Sequence, residues 1–533
     1  MDPKETRGQI KRAPTIRARA IFWAILLCFP VCYWNAWQPT GTIYSLIFST
    51  MAALIVLVAV NALLHKFAPK HAFTTADMVI IFGFVSVASA ISGEWTFLNM
   101  QYVHVFASNA QREPLYRDVF LEHIPPTMYF TDINQIRDYV AGGNGFWYFL
   151  LRLDLWLPKI LMWTLLYGAI TISLLCVNSL MRDAWLRRER LSFPIVQLPV
   201  AMMEEDGKGP LWRSKTMWIA FILMFAIDIL NGLHYLFPNL PSIPTKQYLD
   251  LRNIFPDPPI NAIGSTPIAL YPFLAALGLF MPSGLLFSII FFFFVRKTIQ
   301  IILATYGFEG GTFAGGHLVP EPPYFTEQTW GALIGLFVTA MWIARKYLRE
   351  VWKDIRENNP AKDGGISHRT AFIVFIICIT IVASFLGYGD MPLFLIAPYL
   401  LAFVGFSMVI TRIRAQVGPP THEFAFLGPN QLLMNFYGTQ NITQKNATIL
   451  GTLFLGINRL SRSHPMPVQL EAMKMADSAK VSQRWMFGLL AAGLLVGLFI
   501  GAFWFVQKGY VKGSVNDWGD PLSIVRGVQE KSQ

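Results

Sequence analysis

Charge is what this sequence has least of. Asp, Glu, Lys and Arg make up 14% of its 533 residues, about half the share usual in a soluble domain, while 54% of residues are apolar and 14% aromatic. That balance excludes an ordinary soluble globular protein. Several apolar runs exceed the roughly 18 to 20 residues that cross a hydrocarbon core about 30 Å thick. They recur along the whole chain, which excludes a single anchor on a soluble domain.

Cysteine is also scarce. Cys28, Cys32, Cys176 and Cys378 each fall within an apolar run, with no C-x-x-C pair and no Cys/His cluster, so neither a disulfide scaffold nor a metal centre is expected. No G-x-x-x-x-G-K-[ST] occurs, which argues against ATP-driven work by this chain alone. H-E-x-x-H and G-x-S-x-G are missing too, and His422 beside Glu423 reads as part of a wet loop rather than a catalytic pair. The sequence thus points to no enzyme and to no cofactor.

The formal net charge is +11, yet the Lys and Arg residues form no stripe interleaved with exposed aromatics, so a nucleic-acid partner is not expected. They flank apolar runs instead, as the positive-inside rule requires. The partner they imply is a lipid bilayer, with the N-terminus in the cytoplasm.

The predicted fold is all-α and polytopic, with roughly ten to twelve crossings. Spans are expected at about Ala18 to Trp37, Ile43 to Leu64, Ala76 to Leu98, Leu155 to Leu180 and Thr216 to Phe237. Further spans are expected at Trp330 to Ala344, Ala371 to Leu386, Leu393 to Ile410 and Trp485 to Val506. The run from Ile268 to Val295 is interrupted by "MPSG". It reads either as one long broken helix ending in the cytoplasm at Arg296 and Lys297, or as two spans meeting at Pro282; the cost of burying cations favours the first. Residues 99–145 and the Pro-rich stretch from Pro238 to Pro267 are expected outside. Residues 430–458, Gly- and Asn-rich between flanks that both look cytoplasmic, suit a re-entrant hairpin. The chain then divides into two membrane halves, 1–265 and 266–533.

Polar groups at membrane depth are the candidate site. Asp228 lies near the middle of its span with Asn231 and His234 at spacings of three, which puts all three on one helical face. A carboxylate there is costly unless it meets a cavity or a partner, so proton or substrate binding and a structural hydrogen bond both account for it. Glu94 in "ISGEWTF" is a second carboxylate, nearer a span end. The Gly-rich segment 307–316, with Glu309, Gly310 and Gly311, reads as backbone lining a wet path or as a flexible outer loop.

Two phrases echo each other half a chain apart: "RLSFPIVQL" and "RLSRSHPMPVQL" share RLS, a proline and VQL. An internal duplication and convergent interface helices both explain the echo. "ERLSFPIVQLP", "HPMPVQLE" and "RAQVGPP" resemble phrases of an uncharacterised bacterial family of many-spanning membrane proteins, itself distantly similar to the oligopeptide transporter superfamily. There an "ERL-x-[FY]-P" phrase likewise follows a span, matched here by Glu189, Arg190, Leu191, Phe193 and Pro194. The resemblance implies a secondary transporter with pseudo-repeats and broken helices, although fewer spans are legible here and no substrate motif is.

The resulting expectation is an inner-membrane secondary transporter of a small organic solute, peptide-like or a chelate, coupled to protons and able to form homo-oligomers or join membrane complexes. Arg190 with Arg414 would anchor the cytoplasmic ends of its moving elements, and Pro194 and Pro467 are further structural positions. A non-transporting scaffold subunit is the alternative, and a membrane-embedded enzyme acting on a lipid-linked substrate the third reading. The basic clusters generate a topology prediction: an Arg188→Cys variant stays unlabelled by an impermeant thiol reagent added outside, whereas Phe120→Cys is labelled. The reverse pattern overturns the orientation.

Overall fold

The structure is a computed structural model, and it describes residues 17–38, 41–42, 44–93, 96–97, 100, 103–104, 121–243, 247–269, 271–279, 281–308, 324–361, 364–419, 421, 428–454, 457 and 464–513. The first helices are α1 Ala18–Trp37, α2 Phe48–Phe67, α3 Thr75–Ile91, α4 Arg137–Ala141 and α5 Phe146–Leu151. Next come α6 Leu153–Asp183, extended by a π-helical turn at Ala184–Arg188, then α7 Pro194–Gly207, α8 Pro210–Arg213, α9 Lys215–Leu236 and α10 Leu251–Ile254. The second half holds α11 Pro272–Gly278, α12 Ser283–Thr305, α13 Phe325–Glu357, α14 His368–Tyr388 and α15 Leu393–Val417. It closes with α16 Pro429–Tyr437, α17 Gln444–Thr452, α18 Pro465–Ser478 and α19 Gln483–Lys512. The sheet is minimal, β1 Gln247–Asp250 antiparallel to β2 Pro267–Ala269.

Among the described residues nine helices are long and apolar enough to cross a membrane: α1, α2, α6, α9, α12, α13, α14, α15 and α19. The protein is an all-helical polytopic membrane protein. With no water in the bilayer core, each span must satisfy its backbone internally, which is why helices alone carry the crossings.

The bundle is built around α3. All its residues from Asp77 to Ile91 are buried, although it is only 17 residues long, because α1, α18 and α19 close around it. Its start is fixed by a capping box between Thr74 and Asp77. Asp77 also receives Arg17 at 3.3 Å and Arg19 at 3.1 Å, so one carboxylate ties the foot of α1 to that of α3.

Glycines let α19 approach α3 closely. A Cβ on Gly493 would lie 2.9 Å from Val87, and one on Gly497 would meet the Ala88 Cα at 2.5 Å. At Gly501 it would strike Phe97 at 2.6 Å. Spacing of four puts the three glycines on one ridge, the small-residue seam by which membrane helices gain van der Waals contact. The surrounding sequence, "LLAAGLLVGLFIGAFWF", is so uniformly apolar that only these glycines mark the packing face.

The basic clusters of α6 and α13 share one end of the bundle, where Arg187 pairs with Asp477 at 3.5 Å and Arg188 meets Glu350. The backbone N–H of Arg484 donates to the carbonyl of Gly364 at the same end. At the opposite end Asn144 and Gly143 donate to the carbonyls of Tyr510 and Val511, and Trp156 donates to the Tyr510 hydroxyl at 3.0 Å. Short turns at Leu121–His123, Pro126–Met128 and Ile133–Gln135 lie at this end, with His104 buried between Phe130 and Trp156.

Two expectations are corrected. The run after Ile268 is two helices, α11 and α12, broken before Pro282, and the basic pair lies inside α12 rather than at its end. Lys297 is satisfied there by the Ile263 carbonyl at 2.6 Å, and Arg296 lies over the Phe325 ring. Likewise α15 runs past Ile410 to Val417, so Arg412 and Arg414 belong to the helix and Arg414 does not anchor an exposed end. Residues 430–458 hold α16 and α17, nine residues each and joined by a 3-10 turn at Thr439–Asn441; at 1.5 Å per residue neither is long enough to cross.

The glycine seam yields a prediction. Gly497→Val forces two backbones apart and costs about 1 to 3 kcal/mol by overpacking. It should lower the thermal midpoint in detergent, whereas Gly488→Val on the same helix, with open space around its Cβ position, should leave it nearly unchanged.

Candidate functional site

The phrases that echo in the sequence meet in space. Each opens a helix, α7 from Pro194, whose backbone leaves helical geometry at Glu204 to Asp206, and α18 from Pro465. A proline at the first helical position withholds only an N–H that would lack an intrahelical partner anyway. Val196 and Val468, matched by the shared VQL, line the same cavity of about 30 Å³, together with Ile195, Pro199 and Glu471. Phe82 and Ser86 of α3, Thr50 of α2 and Ser45 just before α2 line it too. The equivalence is not complete: Gln197 is exposed, whereas Gln469 is buried, donating to the Thr171 carbonyl at 3.1 Å and accepting from Asn178 at 3.0 Å.

Arg414 enters this cavity from α15. Its guanidinium grips Glu471 through two bonds, Nε to Oε1 at 2.6 Å and Nη2 to Oε2 at 2.7 Å, and Nη2 also donates to the Ser45 carbonyl at 2.7 Å. The arginine is 1% exposed and the glutamate 7%. Burial pushes the Glu471 carboxyl up, and the facing guanidinium pulls it back. This bidentate geometry is the strong form of a charged hydrogen bond and one that lysine could not supply.

The neighbouring Arg412 forms the counterpart. Two residues apart on a helix the arginines face different directions, and Arg412 meets Glu189 at 2.6 Å. One helix thus holds the glutamate that precedes the first echoing phrase and the glutamate that follows the second. Backbone contacts bring in the third phrase, "RAQVGPP": Phe193 N–H donates to the Ala415 carbonyl and Ser192 Oγ to that of Gln416, at 2.8 and 2.6 Å. Gly418, at φ +67°, lies so close that a Cβ would stand 2.7 Å from Pro194.

Two hydroxyls on the cavity wall, Thr50 Oγ1 and Ser86 Oγ, are buried without a hydrogen-bond partner among the described residues. A space of this size admits about one or two water-sized groups. His464, just before α18, is buried with Nε2 3.0 Å from Ser407 Oγ. Burial pushes its imidazole down to about 3, with the Arg414 cation adding to the effect, so it is neutral across physiological pH. The cavity therefore offers one ion pair, two free hydroxyls and a neutral imidazole nearby, a set suited to binding and proton exchange rather than to covalent chemistry.

The other predicted site residues lie apart from it. Asp228 is exposed on α9, which buries none of its residues. Asn231 exchanges two hydrogen bonds with the Ile243 backbone, at 2.8 and 2.9 Å, and His234 Nδ1 meets the Leu240 carbonyl at 2.5 Å. Those two side chains fasten the chain leaving α9, and Asp228 has no share in that. Arg190 is exposed at φ 50°, in the reversal that returns the chain to the bundle, while Pro194 and Pro467 are buried. Glu94, Glu309, Gly310 and Gly311 lie outside the described residues, as do His422 and Glu423. Among the described residues no group of three or more His, Cys, Asp or Glu could hold a metal.

Glu471, Ser86 and Thr50 were not legible as site residues. Glu471 sits beyond the VQL match in a helix of mixed polarity, and a lone Ser or Thr in an apolar run is common. The doubled "TRIRAQV" arginines were the available signal, since two arginines at the end of an apolar span need partners.

The pair generates a prediction. Arg414→Met leaves Glu471 buried without its cation, which costs about 3 to 5 kcal/mol, while Arg414→Met with Glu471→Leu removes both charges and recovers most of that loss. Thermal unfolding in detergent measures both. Equal losses in the single and double variants would contradict the pairing.

Comparison with curated proteins and with solved structures returns no match. Over residues 10–524, however, the chain matches a family of unknown function, DUF6785, and it belongs to that family.

Proposed function

We propose that this protein is a secondary transporter of a small organic solute, peptide-like or a chelate, in which the Arg414–Glu471 pair couples solute to proton. The observation that carries this reading is a bidentate ion pair, buried on both sides, bordering a cavity where both echoing phrases begin their helices. Retaining a buried pair that a hydrophobic pair could replace asks for a reason beyond stability. Short helices that start inside the bundle are also how many transporters build a site, and the resemblance to the oligopeptide transporter superfamily points the same way.

The proposed step is simple. A proton reaching Glu471 neutralises the carboxylate, and Arg414 loses its counter-ion. The freed guanidinium then takes an anionic group of the solute. Return of the proton to the other side restores the pair and releases the solute. Burial of Glu471 favours its neutral form and the guanidinium favours its charged form, and this opposition is what a coupling carboxyl requires. Asp228, facing outward, is not assigned this role.

Proteoliposomes loaded with a pH-sensitive dye test the proposal against a panel of short peptides and metal chelates. Wild-type protein is expected to acidify the lumen in the presence of at least one solute, and Glu471→Gln, inserted and folded, to lose that response. A proton flux in Glu471→Gln equal to wild type would reject this residue as the coupling site. If no solute moves protons and a stoichiometric partner survives purification, the scaffold reading takes its place.

A further inference from the structure

Helix α2 begins inside the protein. Its cap residue Ile47 and the first-turn residues Ser49 and Thr50 are buried, yet Ile47 offers no side-chain oxygen to the amides that open the helix, and the first turn holds no carboxylate. Among the described residues neither the Ser49 N–H nor the Thr50 N–H finds an acceptor. Opening amides of a helix call for a capping side chain, water or a ligand. At the start of a 20-residue helix they also present the positive end of its dipole.

The segment before α2 and its first turn line one cavity with Arg414, through Ser45, Leu46, Ile47 and Thr50. Thr50 and Ser86, 2% and 5% exposed, bring to that cavity hydroxyls that nothing among the described residues meets. Hydroxyls close by are paired. Ser49 donates to Asn35 at 2.7 Å, and Asn35 donates to Ser89, one turn beyond Ser86, at 2.9 Å. The unfilled groups are thus gathered on the cavity. A guanidinium, two hydroxyls and a helix N-terminus can all donate, and Glu471 is the one carboxylate among the lining residues.

We propose that this cavity is a carboxylate subsite: once Glu471 is protonated, a carboxylate of the solute takes over Arg414, with the Thr50 and Ser86 hydroxyls and the first amides of α2 as its further donors. The inference rests on the transport reading for the neutral state of Glu471, and it names the group that the site recognises. Room for about one or two water-sized groups suits the two oxygens of a carboxylate and leaves none for the four of a phosphate. No acid besides Glu471 lines the cavity, and Val196, Val468 and Met475 make its other walls apolar. An amine or a metal cation therefore has no partner here, and the solute is selected by its acid end.

Line broadening of 13C-formate by the full-length protein in detergent measures occupancy without any flux. Glu471→Gln, which imitates the protonated acid, is expected to bind formate about tenfold more tightly than wild type, and formamide, the uncharged counterpart, about tenfold more weakly than formate. Thr50→Val and Ser86→Ala, each made in that background, should each weaken formate by about tenfold or more. Formate binding that neither substitution alters, or that formamide equals, overturns the proposal. Should Glu471→Gln fail to fold, wild type is titrated at higher formate concentration, and the same dependence on Thr50 and Ser86 is required. Failure of the transport reading looks different: a solute panel that moves no protons, with formate held as described, rejects the transporter and keeps the site. Proton flux driven equally by acids and their amides keeps the coupling and rejects the site.

Discussion

Placing a guanidinium and a carboxylate together out of reach of water is the constraint on which the rest of this structure depends. Each ion alone would be costly in the interior by several kcal/mol, and only close bidentate contact with further hydrogen bonds offsets that. Arg414 and Glu471 meet these terms, with the Ser45 carbonyl taking a further guanidinium proton. To do so, α15, α18 and the residues before α2 must converge on one point. Those elements come from distant parts of the chain, so the pair fixes the long-range order of the bundle as well as its local geometry.

The convergence makes sense of several local features. Prolines open α7 and α18 because the chain must begin helices inside the protein, where an extra unpaired N–H would be expensive. Gly418 holds a left-handed backbone conformation directly against Pro194, a position with no room for a side chain. Arg190 and Phe193 are also left-handed, at φ 50° and 48°, where non-glycine residues carry strain. The reversal that brings α7 back into the bundle is thus held by its contacts with the end of α15. On the other side of α3 the glycine seam of α19 removes side chains so that the buried helix can be closed in.

Much of this was open to reading in the sequence, for physical reasons. Apolar runs report spans because the bilayer filters composition strongly, and α1, α9 and α14 lie close to their expected bounds. Basic flanks report a common end because charges avoid hydrocarbon, as Arg187, Arg188 and Arg349 illustrate. The echo of VQL located two helices that share a cavity wall. Pairing was not legible: Arg414 looked like an interfacial charge because nothing local reveals a glutamate 57 residues away. Asp228 drew attention because its cost is visible in one helix, whereas Glu471, equally costly, was hidden in a polar-looking phrase. Arg296 misled for the opposite reason, since an aromatic face rather than water attends it.

The central claim is that Arg414 and Glu471 are paired as ions inside the bilayer-embedded protein. Solid-state NMR on protein labelled with 15N at arginine side chains and 13C at glutamate carboxyls, reconstituted in lipid, measures this directly, with Glu471→Gln assigning the signal. The account predicts strong dipolar coupling between one guanidinium and one carboxyl carbon whose shift is that of a carboxylate at neutral pH. A protonated carboxyl with no such coupling would contradict it.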